Sequence, residues 1–85
     1  MRTKSEIERV LYGTEAMHLV VSMKVQSVRE SGKEPDLEDF EVYRNYLETE
    51  ACISLMEWIL ERDTPGAAAV SKFGKDMTRH LAGLN

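Results

Sequence analysis

Ser31-Gly32-Lys33-Glu34-Pro35-Asp36 is where this chain turns back on itself. Gly32 suits the left-handed position just past a helix end. Pro35 pushes Glu34 out of the helical region. Asp36 is a good helix N-cap, and Glu38, Asp39 and Glu41 behind it favour a positive helix start. A helix therefore ends before this stretch and another begins after it. The only other proline lies in Asp63-Thr64-Pro65-Gly66. There Thr64 is a candidate N-cap and Pro65 a good first helical residue. The spacing predicts three helices, over about 4–30, 37–62 and 65–82. No segment alternates apolar and polar with period two, so no strand is expected. Gly13 is the weak point of the first helix, with Thr14 behind it as the cap if the helix splits there.

Apolar spacing fixes how the first two helices meet. The first offers Ile7, Leu11, Thr14, His18, Val21, Val25 and Val28 at intervals of three and four. The second offers Val42, Tyr46, Thr49, Ile53, Met56 and Leu60. With the chain folded at residues 33–34, residue i meets residue 67 − i. Leu11 then faces Met56, Thr14 faces Ile53, His18 faces Thr49 and Val21 faces Tyr46. Two stripes in such register describe an antiparallel coiled-coil hairpin.

The size of the chain bears on what the hairpin needs. It has 85 residues, 42% apolar and 31% charged, with 11 basic and 15 acidic side chains. That is one globular domain over 1–85, too small for barrel or doubly wound enzyme architectures. A domain of this size leaves much of its apolar surface uncovered. One cysteine, Cys52, rules out an internal disulfide and suits a reducing, cytoplasmic setting. Nothing in the sequence reads as a signal peptide or membrane span, so no membrane partner is expected. The remaining remedies are long helices and oligomerisation.

A second stripe on the second helix points to oligomerisation. Phe40, Tyr43, Leu47, Ala51, Leu55 and Trp58 form it, and Val10, Met17 and Val20 form a shorter one on the first helix. A helix apolar on two faces is buried on two sides. The third helix, with Val70, Phe73, Met77, Leu81 and Leu84, covers only part of that surface. The expected fold is all-α: a long helical hairpin plus a shorter third helix, dimerising into a four-helix-type bundle with the third helices outside. The competing arrangement is a monomeric three-helix bundle. Phe40, Tyr43, Leu47, Ala51, Leu55 and Trp58 are thus the expected dimer or third-helix interface.

The inventory of reactive groups is poor. There is no Gly-rich phosphate loop, GxSxG elbow, HExxH or calcium-loop pattern. Cys52 has no arranged base and reads as a small, partly buried thiol. Glu34, Asp36, Glu38, Asp39 and Glu41 cluster at the hairpin tip, where capping explains them. Residues 1–63 hold 8 basic and 14 acidic groups, whereas residues 64–85 hold 3 and 1. Lys72, Lys75 and Arg79 therefore form a basic strip on an acidic body. They are the candidate partner-binding residues, for phosphates or an acidic protein.

Three short likenesses accompany this reading. Glu15-Ala16-Met17-His18 resembles a fragment of the ferritin-like di-iron pattern. That resemblance implies a metal held by Glu15, His18 and a glutamate of a neighbouring helix, which in the hairpin register is Glu48 or Glu50. The bland reading is a polar layer in which His18 hydrogen-bonds Thr49 and fixes the register. Glu38 and Glu41 resemble half of the magnesium motif of the all-α nucleotide pyrophosphohydrolases, but its second half is missing. The stretch from Ala51 to Leu60 is similar to endings of small helical proteins of phages and mobile elements. The expectation is a non-enzymatic accessory or regulatory protein, without cofactor, acting as a homodimer on a protein partner. The alternatives are a nucleic-acid-binding dimer using the third helix and a metal-binding bundle.

Overall fold

A computed structural model describes residues 1–83. It contains helices α1 (Lys4–Glu30), α2 (Leu37–Ile59) and α3 (Pro65–Gly83), and no strand among the described residues. Leu84, the last member of the third helix's apolar row, lies outside them.

Each helix start is set by a capping side chain, of which Asp36 and Thr64 are the expected ones and Thr3 is not foreseen from the sequence. Thr3 caps α1, its hydroxyl accepting from the Glu6 amide at 3.2 Å. Asp36 caps α2 in a reciprocal box. Its carboxylate accepts from the Asp39 amide at 2.9 Å, and Asp39 accepts from the Asp36 amide at 3.0 Å. Thr64 accepts from the Ala67 amide at 3.1 Å, which leaves Pro65 in the first turn, where its missing N–H costs nothing. α1 runs unbroken through Gly13. Beyond its cap Ser31, Gly32 takes φ +70°, the left-handed turn expected of it.

α2 stops at Ile59, three residues short of the expected boundary at 62. The reason is a Schellman closure. The Arg62 amide bonds the Glu57 carbonyl at 2.9 Å and the Glu61 amide bonds the Trp58 carbonyl at 3.0 Å. This forces Glu61 to φ 58°, a place usually taken by glycine. α3 runs one residue past the expected 82.

The seam follows the 67 − i register. His18 Nδ1 and Thr49 Oγ1 lie 2.7 Å apart, and the His18 and Tyr46 rings are 4.8 Å apart between centroids. Leu11, Val21 and Val25 are buried, while Ile7, Thr14, His18 and Val28 are half-buried. Across from them Val42, Tyr46, Thr49, Ile53, Met56 and Leu60 are half-buried. Arg62 closes the open end: it sits 3.7 Å from Glu8, donates to the Tyr12 hydroxyl at 3.4 Å and overlies the Tyr12 ring.

α3 packs on α2 and makes no backbone approach to α1. Gly66 lies over Ser54, where an added Cβ would come within 2.7 Å of the Ser54 hydroxyl. Further along, Trp58 Nε1 donates to Ser71 Oγ at 3.1 Å. The partner numbers rise with α3 numbers, so α3 does not lie antiparallel along α2. It crosses near the C-terminal end of α2 and runs outward, with every residue from Ser71 to Gly83 exposed. The radius of gyration is 16.1 Å. A compact chain of this length has one of roughly 12 Å. The core is correspondingly thin: Leu11, Val21, Val25 and Ala67 are the buried apolar residues among those described.

Candidate interaction surface

The surface is dominated by apolar rows that the fold leaves uncovered. On α2, Phe40, Leu47, Ala51, Leu55 and Trp58 are exposed and only Tyr43 is half-buried. At 100° per residue these positions lie opposite the seam, so α1 cannot reach them. α3 meets α2 around Ser54, Glu57 and Trp58. On α3 itself Phe73, Met77 and Leu81 are exposed. Val10, Met17 and Val20, flanking the seam on α1, are exposed as well.

A further row is legible in the sequence but was not read there. Tyr12, Ala16, Leu19 and Met23 follow one another at intervals of four, three and four on the outer side of α1, and all are exposed. The signal was the same spacing that identified the seam. It lacks what marks the seam stripe, a matching row on α2 in the same register. Leu37 and Ile59, also exposed, belong to no row noted in the sequence.

The basic strip is present and free of the body. Lys72, Lys75 and Arg79 are exposed, and the Arg79 guanidinium lies 3.9 Å from Asp76. Lys75 and Arg79 border an open groove with Trp58, Phe73 and Thr78, whereas Lys72 lies outside it. A second hollow of about 420 Å³ lies at the open end of the hairpin, between the start of α1 and the end of α2, lined by Arg2, Glu6, Ile7, Val10, Met56 and Ile59.

The proposed metal ligands are not brought together. His18 spends Nδ1 on Thr49, whose hydroxyl in turn reaches the Asn45 carbonyl at 3.0 Å. Glu48 lies 3.6 Å from Arg44. Glu15 faces the side of the hairpin occupied by Arg62. Among the described residues no three His, Cys, Asp or Glu side chains gather into a metal-holding group. Cys52 is exposed, not partly buried as expected. It stands one residue before the seam position Ile53, and that step of 100° turns it to solvent.

Two ionisable groups are shifted. The Asp39 amide, hydrogen-bonded to the Asp36 carboxylate, holds that carboxyl below its ordinary range, helped by Lys33. The Tyr12 hydroxyl, followed by Glu8 and Glu15, holds the Arg62 guanidinium more firmly charged. Neither is the signature of a catalytic acid or base. No described helix is long and apolar enough to cross a membrane. No protein-family model, curated protein or solved structure matches the chain.

Proposed function

We propose that this protein is a non-enzymatic helical interaction module that works as a homodimer and binds a protein partner. The observation that carries the reading is uncovered apolar area. The chain exposes 6917 Å². A compact monomer of 9.7 kDa exposes roughly 5,100 Å². The surplus of about 1,800 Å² is roughly twice what one partner buries in an interface of standard size. Exposed apolar side chains within that surface fall in rows on three helices, each with the spacing of a helix-packing face.

The rows differ in what they suit. Those on α2 and α3 adjoin each other at Trp58 and make one continuous candidate for self-association. The outer row of α1 faces away from both and remains for the protein partner. Light scattering tests the dimer: the expected mass is twice 9.7 kDa at high concentration. A mass of one chain throughout would remove the reading. Leu19→Asp, on the α1 row, is expected to leave the dimer intact and to abolish partner capture.

The nucleic-acid reading rests on Lys72, Lys75 and Arg79. Its supporting observation is the groove that places Lys75 and Arg79 beside the Trp58 and Phe73 rings, a pairing of cation and stacking surface. Retention of single-stranded DNA at low salt, weakened by Arg79→Ala, would favour it over the protein-binding reading.

A further inference from the structure

We propose that α3 is an exchanged arm: in the dimer, its Phe73–Met77–Leu81 row lies on the outer row of α2 in the second copy, and the reverse contact forms by symmetry. This rests on the dimeric reading above and adds which elements meet.

Four observations converge on it. First, α3 spends only its N-terminal half on its own chain, through Gly66, Ala67 and Ser71, and its remaining turns run outward with every residue exposed. An unsupported helix of that length is marginal in water. Second, Phe73, Met77 and Leu81 recur every four residues on one side, with Phe73 67% and Leu81 58% exposed. That is the anchor spacing of a helix laid into an apolar face. Third, the outer row of α2 offers Phe40, Leu47 and Leu55 at intervals of seven and eight, uncovered by its own α3.

Fourth, charge separates α2 from the other apolar face. α3 carries three basic residues and one acidic residue. α2 carries six acidic residues and one basic residue, while α1 carries four of each. A basic arm is drawn to α2 and gains nothing from α1. The surplus area also fits, since two reciprocal contacts bury more than a single helix pair can. Lys75 and Arg79 border the same groove as Trp58 and Phe73, so docking brings them toward the acidic α2 and leaves Lys72 in solvent.

The test uses the full chain in two parts. Phe73→Asp is exposed in its own chain and so is expected to keep its helix content by circular dichroism. It should raise the dimer dissociation constant about a hundredfold, as loss of a buried aromatic anchor does. Contact is then mapped in a Cys52→Ser background. Chains bearing Met77→Cys are mixed with chains bearing Leu47→Cys and treated with a short bis-maleimide. The expected result is a covalent dimer of the two kinds of chain, at least tenfold above that for Met77→Cys mixed with Met23→Cys. If wild type is a dimer but Phe73→Asp associates as tightly and the two mixtures crosslink equally, the exchanged arm is wrong and the dimer stands. If wild type is a monomer at millimolar concentration, both fall together.

Discussion

At the scale of single residues, two backbone positions are filled by the wrong amino acid for stability. Glu61 holds φ 58° to close the Schellman turn of α2. A left-handed residue with a Cβ costs about 1–2 kcal/mol, a cost that glycine avoids. Glu61→Gly is therefore expected to raise stability by about 1 kcal/mol, read as a higher urea midpoint with unchanged slope. Gly13 is the mirror case: it lies mid-helix, and an added Cβ meets nothing within 4 Å. Gly13→Ala should stabilise α1 by about 1 kcal/mol. His18 and Thr49 are different, because each satisfies the other across the seam at 2.7 Å. Thr49→Val keeps the shape and strands the ring nitrogen, at a cost of about 1–2 kcal/mol.

These residues also show where the sequence was legible. Gly32 and Pro65 act through their own backbone, and Asp36 and Thr64 through side-chain caps on neighbouring amides, so their roles could be read from type alone. The His18–Thr49 pair followed from spacing, because both stripes had to meet in one register. Glu61 could not be read, since a glutamate advertises helix and takes the left-handed turn only because the chain must return α3 to Ser54. Cys52 was misread for a simpler reason: it neighbours the seam in sequence but not in angle.

At the scale of elements, the α2–α3 junction depends on a missing side chain. Gly66 brings α3 against Ser54, and a Cβ there would meet the hydroxyl at 2.7 Å. Gly66→Ala should loosen α3 from α2 and cost about 1–3 kcal/mol, since the neighbour must shift. Ser54→Gly should recover part of the loss in the double variant. Additive losses would show that the clash is not the cause. The start of α2 responds to acid. The Asp36 carboxyl is held below its ordinary value by the Asp39 amide. A depressed carboxyl contributes stability above its unfolded value, and that contribution disappears as pH falls through the folded one. The melting temperature should thus drop on acidification below about pH 4. Asp36→Asn keeps a cap acceptor that does not titrate, and it should flatten that drop. An unaltered acid limb in Asp36→Asn would assign the drop to other carboxylates.

At the scale of the whole molecule, hairpin and third helix were legible, but the direction of α3 was not. Its row of Val70, Phe73, Met77 and Leu81 fits either a helix folded along α2 or one projecting from it. The choice is made by the short turn at Glu61 and by the Gly66–Ser54 approach, neither of which is periodic. The result is a body of 45 × 38 × 21 Å whose core, among the described residues, has four buried apolar side chains. So thin a core gives little stability to set against the ordering of three helices. On the dimeric reading proposed above, association supplies part of the folding free energy and the melting temperature depends on concentration. Each tenfold increase adds about 1.4 kcal/mol to a dimer that unfolds as it separates. For an assembly of about 170 residues, that raises the melting temperature by roughly 3–6 °C. Scanning calorimetry at two concentrations a hundredfold apart should show twice that shift in wild type. Phe73→Asp, already dissociated at the lower concentration, should melt below wild type there and lose most of the dependence. A wild-type melting temperature that does not move would show that the hairpin and α3 are stable as one chain, and that the exposed rows serve some purpose other than holding the fold together.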